Sequence, residues 1–264
     1  MRYLVVLLSS FIAIASYATE YEGFAEPERE IKVAAPELGI LQKISVKEGN
    51  RVKKGQLLAS LETQILDAAL SVAKAKMNAQ GRLKSAQSIE KLRKDKLNRL
   101  LPLLSQGNAQ QYEVTQAQIE LEAAAAEVTA ARDALNISSL EYKQIQAQIA
   151  HRQIVSPISG VVTDVVKEVG EIVGGNDFHV MTIAVLDQLV VAIRVPTAQA
   201  LPLKTNQSVS VTFPGVELAP LQAKIATISP ITDASSDTVK VEVNLINGKN
   251  KLRSGLKCLV KIGE

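Results

Sequence analysis

The sequence predicts an elongated chain of mixed α and β structure. A small β-sandwich is split by an antiparallel α-helical coiled-coil hairpin and is followed by a small antiparallel β-barrel. Three observations lead to this fold: a β-rich motif occurs twice, a long heptad pattern separates the two copies, and period-two alternation follows the second copy. Aromatic residues make up 3% of the 264 residues and Trp is absent, which favours several thin cores over one large globular core.

Residues 1–18 have the features of an export signal. Arg2 gives a short positive region, an apolar stretch follows, and the sequence around Ala18 is a plausible cleavage site. The apolar stretch is shorter than a membrane span requires, and no Cys follows the site to carry a lipid. The sequence therefore predicts a cleavable signal peptide and an exported protein that is not a lipoprotein. A retained N-terminal anchor and a buried first strand are the alternatives.

The repeated motif reads as strand, turn, strand in each copy. Gly39 and Gly49 of the first copy correspond to Gly160 and Gly170 of the second, and both pairs are 121 residues apart. The glycines occur where the backbone needs a positive φ or a tight bend. A four-stranded unit of this size cannot bury both of its faces alone. We expect the copies to pack face to face as a pseudosymmetric sandwich.

Two segments contribute the halves of this sandwich. Residues 19–63 hold a short N-terminal segment and the first half, and residues 151–187 hold the second half. Residues 64–150 lie between them and are predicted to be helical.

The second arm of the helical region, residues 108–150, has the clearest heptad pattern. Apolar residues recur every seven positions from Val114 to Ile149, and a second series, mostly Ala, is offset from them by three. The first arm, residues 64–101, has a weaker seam that includes Ile65 and Val72. This pattern predicts helices that pack closely along their length.

The two arms are expected to form one antiparallel hairpin. Pro102 and Gly107 lie between them, where a helix must stop and reverse. The first arm has nine basic and three acidic residues, whereas the second has two basic and six acidic residues. Antiparallel packing would bring these opposite charges together.

Residues 188–264 alternate between apolar and polar side chains with a period of two. Val191, Ile193 and Val195 open the pattern, and turn signals such as Pro214-Gly215 separate the later strands. About five or six short strands predict a small antiparallel barrel. Cys258 falls on the apolar face of the last strand, so we expect a buried, inert thiol.

No group of residues predicts catalysis, a metal site or a cofactor. His151 and His179 are isolated, without Cys or carboxylate residues at metal-ligand spacing. A biotin or lipoyl carrier needs a Lys at the hairpin between the sandwich halves, but the first half ends in Leu61-Glu62-Thr63-Gln64-Ile65. Thirty basic and 27 acidic residues give a net charge of +3, which is too balanced for a nucleic-acid-binding protein.

The order of these parts resembles a periplasmic adaptor, or membrane-fusion protein, of the HlyD and AcrA type. The two half-motifs resemble the lipoyl-like sandwich (barrel-sandwich hybrid) of that family. The stretches 233–243 and 252–256 resemble the signature of the family's barrel. Many such adaptors have a further membrane-proximal β domain after the barrel. Because this sequence stops at Glu264, the resemblance implies a compact member.

The predicted tip of the hairpin resembles one group of these adaptors more specifically. Adaptors that dock on TolC-type outer-membrane channels have an Arg-x₃-Leu-x₆-Ser pattern there, and this chain has Arg99, Leu103 and Gln110 at that spacing. Gln110 replaces Ser with a longer polar side chain. The resemblance implies that these three residues dock on a channel.

The resemblance also implies a function and a set of partners. The chain would be a periplasmic homo-oligomer, a trimer or a hexamer, that links an inner-membrane transporter to a TolC-like outer-membrane channel for efflux. It would associate peripherally with the inner membrane through that transporter, and an RND-type pump is the first choice. The alternatives are an adaptor of an ABC-type exporter and an envelope spacer or attachment protein without a role in transport.

Overall fold

A computed structural model describes residues 19–248 and 251–263. The predicted signal peptide, residues 1–18, lies outside the described residues. The helices are α1 (Gln64–Met77), α2 (Gly81–Ser105), α3 (Gln111–His151) and α4 (Thr197–Ala200). The strands up to the end of the sandwich are β1 (Thr19–Ala34), β2 (Gly39–Ile44), β3 (Arg51–Val52), β4 (Leu57–Leu61), β5 (Gln153–Val155), β6 (Gly160–Val165), β7 (Ile172–Val173) and β8 (His179–Pro196). The remaining strands are β9 (Ser208–Thr212), β10 (Leu221–Asp233), β11 (Thr238–Ile246) and β12 (Lys257–Ile262). This mixed α and β architecture confirms the predicted fold class.

The sandwich consists of two sheets, and each sheet contains strands from both copies of the repeat. One sheet has the order β5-β4-β2-β7, and the other contains β3, β6, β8 and the second half of β1. The pairing is reciprocal, because Gly39 lies opposite Val173 in the first sheet and Gly160 lies opposite Val52 in the second. Neither copy can therefore form a complete sheet without the other.

The sandwich core comes almost entirely from aliphatic side chains. Residues at equivalent positions of the two copies, such as Leu41 and Val162, are fully buried in one cluster with Leu58, Leu61 and Ile183. Burial of this apolar surface stabilises the sandwich. The scarcity of aromatic residues fits a thin core of this kind.

The barrel is closed by a strand that the sequence analysis placed with the sandwich. The strand order is β1-β12-β9-β10-β11-β8, and β1 pairs with β8 through Gly23 and Ile193 to complete the circle. The first half of β1, up to Pro27, belongs to the barrel, and the register shifts between Pro27 and Arg29 as the strand enters the sandwich. A closed barrel leaves no unpaired strand edge.

The sandwich and the barrel share two strands. Both β1 and β8 run through the two domains, so the predicted boundary between residues 187 and 188 falls inside β8. Arg51 of the sandwich forms an ion pair of 3.0 Å with Asp187 at this junction. The buried Asn247 side chain donates to the carbonyl oxygens of Leu186 and Leu252 at 2.9 Å. Paired β-structure, rather than a loop, therefore connects the domains.

The hairpin is antiparallel, but its first arm consists of two helices. Both α1 and α2 pack on the long α3, and residues 78–80 interrupt the first arm. The seam predicted along α3 is buried at Val114, Ala117, Ala124, Val128 and Ala131. The opposing surface of α2 contributes the buried Ala86 and the half-buried Leu83.

Part of the seam predicted for the first arm was wrong. Ile65 and Val72 are 85% and 58% exposed, whereas Ala73 is buried and Leu66 is half-buried. Each helix carries more than one row of small apolar residues, so the sequence pattern alone could not identify the row that faces α3.

Candidate docking tip of the helical hairpin

The chain reverses at Gly107, five residues beyond Pro102. The helix α2 includes Pro102 and ends at Ser105, so the proline does not stop the helix as predicted. The proline carbonyl accepts hydrogen bonds from the Gln106 backbone N–H at 3.2 Å and from the Ser105 hydroxyl at 2.7 Å. A proline in the last turn lacks a donor, but its carbonyl still helps to close the helix.

Gly107 ends the helix with a Schellman motif. Its backbone has a φ of 75°, the left-handed conformation that favours glycine. The Gly107 N–H donates to the Leu104 carbonyl at 3.0 Å, and the Asn108 N–H donates to the Leu103 carbonyl at 2.9 Å. The turn therefore satisfies carbonyls that the helix end would otherwise leave unpaired.

The helix α3 starts from Gln110, whose extended backbone forms the N-cap. The Glu113 carboxylate accepts a hydrogen bond from the Gln110 backbone N–H at 2.8 Å. A carboxylate in the first turn also interacts favourably with the positive end of the helix dipole. These contacts give Gln110 a defined backbone position at the far end of the hairpin.

The structure places all three predicted docking residues at the solvent-facing end of the hairpin. Arg99 and Leu103 are four residues apart and share one face of α2, and Gln110 begins α3 on the other side of the turn. Arg99 is exposed, and its Nε donates to the Asp95 carbonyl at 3.2 Å. Leu103 is 40% exposed. The tip thus presents a cation, an aliphatic side chain and an amide within a short stretch.

Sequence reasoning missed two apolar side chains beside these residues. Leu101 is 48% exposed and Tyr112 is 71% exposed. Tyr112 lies two positions before the seam residue Val114, so its heptad position is on the outer face of α3. This position could have indicated that the Tyr112 side chain is exposed. These two side chains add exposed apolar area to the end of the hairpin.

Ion pairs between the arms support the tip. Arg93 and Lys96 of α2 each lie 3.0 Å from the Glu120 carboxylate of α3, and Arg82 lies 2.9 Å from Glu127. The hydrogen bond from Lys96, together with the positive charges of Lys96 and Arg93, lowers the pKa of Glu120. The predicted charge complementarity is therefore realised within one hairpin.

The four sandwich glycines fall into two geometric classes. Gly49 and Gly170 have φ values of 82° and 94°. Gly39 and Gly160 instead lie where another strand approaches closely. A Cβ at Gly160 would be 2.5 Å from the Ala184 carbonyl oxygen, and one at Gly39 would be 3.2 Å from the Leu61 side chain.

The described residues hold no cluster of three or more metal-ligating His, Cys, Asp or Glu side chains. Within residues 19–248 and 251–263, no helix combines the length and the apolar content needed to cross a bilayer. Strand β4 ends at Leu61 and leads into α1, so the hairpin emerges where a carrier domain would present its lysine.

Comparison with known proteins identifies the family. The sequence profile described as the RND MFP barrel-sandwich hybrid domain matches residues 29–185. The profile of the CusB-like β-barrel domain matches residues 189–264. The chain belongs to the membrane-fusion-protein family. Members of this family are periplasmic adaptors of efflux systems that assemble as oligomers with transporters and outer-membrane channels.

Individual relatives agree with this membership. The nodulation protein NolF of Rhizobium meliloti (strain 1021) is 29% identical over 234 residues, which cover 89% of this chain and 60% of NolF. The chain thus spans 60% of the length of this relative.

Solved structures share the fold of this chain. MacA from Actinobacillus actinomycetemcomitans aligns with a TM-score of 0.78 at 23% identity, over 97% of this chain and 82% of MacA. The membrane fusion protein Spr0693 from Streptococcus pneumoniae R6 aligns with a TM-score of 0.63 at 19% identity, over 94% of this chain and 99% of Spr0693.

Proposed function

We propose that this protein is a periplasmic adaptor that links an inner-membrane transporter of the RND type to a TolC-like outer-membrane channel. In this proposal the chain is exported by a cleavable signal peptide and is not a lipoprotein. It associates with the inner membrane through the transporter and assembles as a trimer or hexamer. Its contribution is assembly, and it has no catalytic step.

The observation that carries the proposal is the exposed tip at the end of a stiff hairpin. Helix α3 has 41 residues and extends for roughly 60 Å at 1.5 Å per residue. The ion pair between Arg93 and Glu120 and the buried seam of α3 hold α2 against it. Such a hairpin can hold a defined set of side chains far from the body of the molecule.

The tip residues have complementary roles in the proposed docking. The Arg99 guanidinium offers several N–H donors in a fixed plane, which suits carbonyl or carboxylate acceptors. Leu103, together with Leu101, supplies apolar area that a partner can cover. The Gln110 side chain adds an amide next to the helix N-terminus. Polar groups of this kind set orientation and specificity more than affinity.

The body of the molecule supports a transmission role. Because β1 and β8 run through both the sandwich and the barrel, a force on the barrel passes into the sandwich along paired strands. The proposed transporter contact is at the barrel, and the proposed channel contact is at the tip. The adaptor would therefore couple its two partners through one continuous scaffold.

Both matching profiles belong to adaptors of RND systems, which favours an RND pump over an ABC exporter as the partner. Cross-linking of tagged protein in cells, followed by mass spectrometry of the envelope fraction, tests this choice. We expect an RND transporter and an outer-membrane channel to be recovered together. Recovery of an ABC transporter instead would contradict the proposed pump class.

Tip substitutions test the docking role directly. We expect Arg99→Asp and Leu103→Ser to abolish efflux and channel cross-linking while the protein stays folded and abundant. Matched controls on the same arm are Lys91→Asp, an exposed basic residue, and Leu92→Ser, which is 59% exposed. Normal efflux in both tip variants would refute tip docking. Unchanged efflux after deletion of the whole protein would favour the spacer role.

A further inference from the structure

Asn247 is a buried polar residue at the junction of the sandwich and the barrel, and Gly248 follows it in the chain. Its side chain is 2% exposed. Its Nδ2 donates to the carbonyl oxygens of Leu186 and Leu252 at 2.9 Å, and its Oδ1 accepts from the Leu252 N–H at 3.0 Å. Its backbone N–H donates to the Asp187 carbonyl at 2.9 Å. The donor and the acceptor of the side-chain amide therefore both have partners.

An asparagine that precedes a glycine is chemically labile. The Gly248 backbone nitrogen loses its proton to hydroxide and attacks Cγ of Asn247. A new C–N bond closes a succinimide ring, and the side-chain nitrogen takes up a proton and leaves as ammonia. Water then opens the ring at either carbonyl, which gives aspartate or isoaspartate. Glycine favours the attack because it has no Cβ and its backbone is flexible. The chain contains this dipeptide once.

The contacts of Asn247 oppose this reaction in the folded protein. Ring closure expels Nδ2 and thereby breaks its hydrogen bonds to the carbonyl oxygens of Leu186 and Leu252. Closure also needs rotation about the side-chain and backbone bonds of Asn247, which these contacts and the bond to Asp187 restrict. Because several buried hydrogen bonds must be lost together, the reactive conformer should be about tenfold or more rarer than in the unfolded chain.

We propose that Asn247 is a modification site: the closed junction protects its amide, and the amide is deamidated when the junction opens. The inference does not depend on the proposed partners, because it concerns a reaction between two residues of this chain and water.

The product cannot restore the contacts of the amide. An ionised aspartate has only acceptor oxygens, so at position 247 it would face the carbonyl oxygens of Leu186 and Leu252 without a donor. A buried charge without a partner is costly, and isoaspartate also lengthens the backbone. The neighbouring Asp187 forms the ion pair of 3.0 Å with Arg51 that joins the two domains. Deamidation should therefore keep an opened junction from closing again.

Peptide mapping of the purified protein measures the reaction at single residues. Trypsin cleaves after Lys240 and Lys249 and releases one peptide with both Asn247 and Asn244. Asn244 is exposed and precedes Leu245, so it serves as an internal control. At pH 8.5 and 37 °C, we expect Asn247 to deamidate in guanidinium chloride and about tenfold or more slowly in the folded protein, while Asn244 reacts little in both. Equal rates at Asn247 in the two states, or no reaction in the unfolded protein, would overturn the proposal.

Gly248→Ala separates the chemistry from the fold. A Cβ at this position would meet no atom within 4 Å, and the Gly248 backbone does not have a positive φ, so the folded protein accommodates alanine. The methyl group should hinder the attack and slow deamidation in guanidinium chloride by about tenfold. After equal times in guanidinium chloride, recovery of the native circular dichroism should decline in the wild type and persist in Gly248→Ala. The same decline in both proteins would refute deamidation as the step that prevents closure.

Asn247→Asp shows what the product does to the junction. We expect its Tm to fall by about 4 °C or more, because a buried carboxylate replaces a donor. Asn244→Asp adds the same charge on the exposed side of β11 and should change Tm little. Equal Tm values for the two variants would contradict the role of the buried amide. If Asn247→Asp does not fold, the wild-type rates and the Gly248→Ala comparison still decide the proposal.

Discussion

The paired glycines Gly39 and Gly160 allow a test with an internal control. They occupy equivalent positions of the two sandwich halves, but different atoms surround them. A Cβ added at Gly160 would lie 2.5 Å from the carbonyl oxygen and 3.0 Å from the carbonyl carbon of Ala184. These backbone atoms belong to the paired strand β8 and cannot rotate away. A Cβ at Gly39 would lie 3.2 Å from Cδ1 and 3.4 Å from Cβ of the buried Leu61 side chain, and it would meet no backbone atom of a neighbouring strand at a shorter distance.

The two alanine substitutions should therefore differ in cost. Overpacking in a well-packed region costs about 1–3 kcal/mol, and Gly160→Ala should be near the upper end because β6 must move away from β8. At Gly39 a small shift of Leu61 relieves the contact. Alanine also lowers the conformational entropy of the unfolded chain. This effect stabilises the folded protein by about 0.4–1 kcal/mol and offsets part of the remaining cost of the contact. We expect Gly39→Ala to lie within about 1 kcal/mol of the wild type.

Thermal unfolding followed by far-ultraviolet circular dichroism measures this difference. For a chain of this size, about 3 kcal/mol corresponds to a fall in Tm of roughly 6–12 °C, and about 1 kcal/mol to at most 4 °C. Urea unfolding midpoints provide an independent check. Equal losses in Gly39→Ala and Gly160→Ala would refute the argument from the close approach of β8.

Two further predictions use titration. The pKa of Glu120 lies below its ordinary value of 4.5. The ionised carboxylate therefore stabilises the folded hairpin fully above pH 4.5. This contribution to the free energy of unfolding is lost as the pH falls through the lowered pKa. Urea midpoints between pH 7 and pH 3 should therefore fall less steeply in Glu120→Gln, and an unchanged slope would contradict the role of the ion pairs. Burial raises the pKa of the Cys258 thiol to about 11, so a maleimide at pH 8 should label this residue only after unfolding; rapid labelling of the folded protein would contradict its burial.

The sandwich could be predicted because the β motif that indicates it occurs twice in the sequence. The spacing of 121 residues relates Gly39 to Gly160 and Gly49 to Gly170, and equivalent positions need equivalent backbone geometry. The structure adds the exchange of strands: β2 pairs with β7, and β6 pairs with β3. Alternation of apolar residues identifies which face of a strand is buried, but it does not identify the neighbouring strand.

The hairpin was predictable in its outline and less so in detail. Opposite arm charges and a strong seam on the second arm indicate antiparallel pairing, and the structure has both. The interruption at residues 78–80 and the inward face of α1 were not predicted. Ala-rich helices carry several rows with the same spacing, and the row that packs inward depends on how α1 leaves the sandwich.

The candidate docking site was located by its place in the chain. Pro102 and Gly107 indicated the tip, the resemblance to the family's pattern pointed to Arg99, Leu103 and Gln110, and the structure places all three at the exposed end of the hairpin. It also corrected the role of Pro102, because the turn begins with Gly107 and its left-handed backbone. Tyr112 was missed although its heptad position, two residues before Val114, lies on the outer face of α3, and Leu101 had no comparable signal in the sequence.

The sequence by itself determined the order of the parts: a β motif, two helical arms of opposite charge, a second β motif and a run of short strands. These properties are local or periodic, so neighbouring residues are enough to reveal them. Only the tertiary structure decided how distant segments meet. In the tertiary structure the first half of β1 pairs within the barrel, and each sheet of the sandwich contains strands from both halves. One face of α1 and one face of α3 stay exposed. Such choices depend on contacts between residues far apart in the chain, and no local pattern encodes which of several similar faces becomes buried.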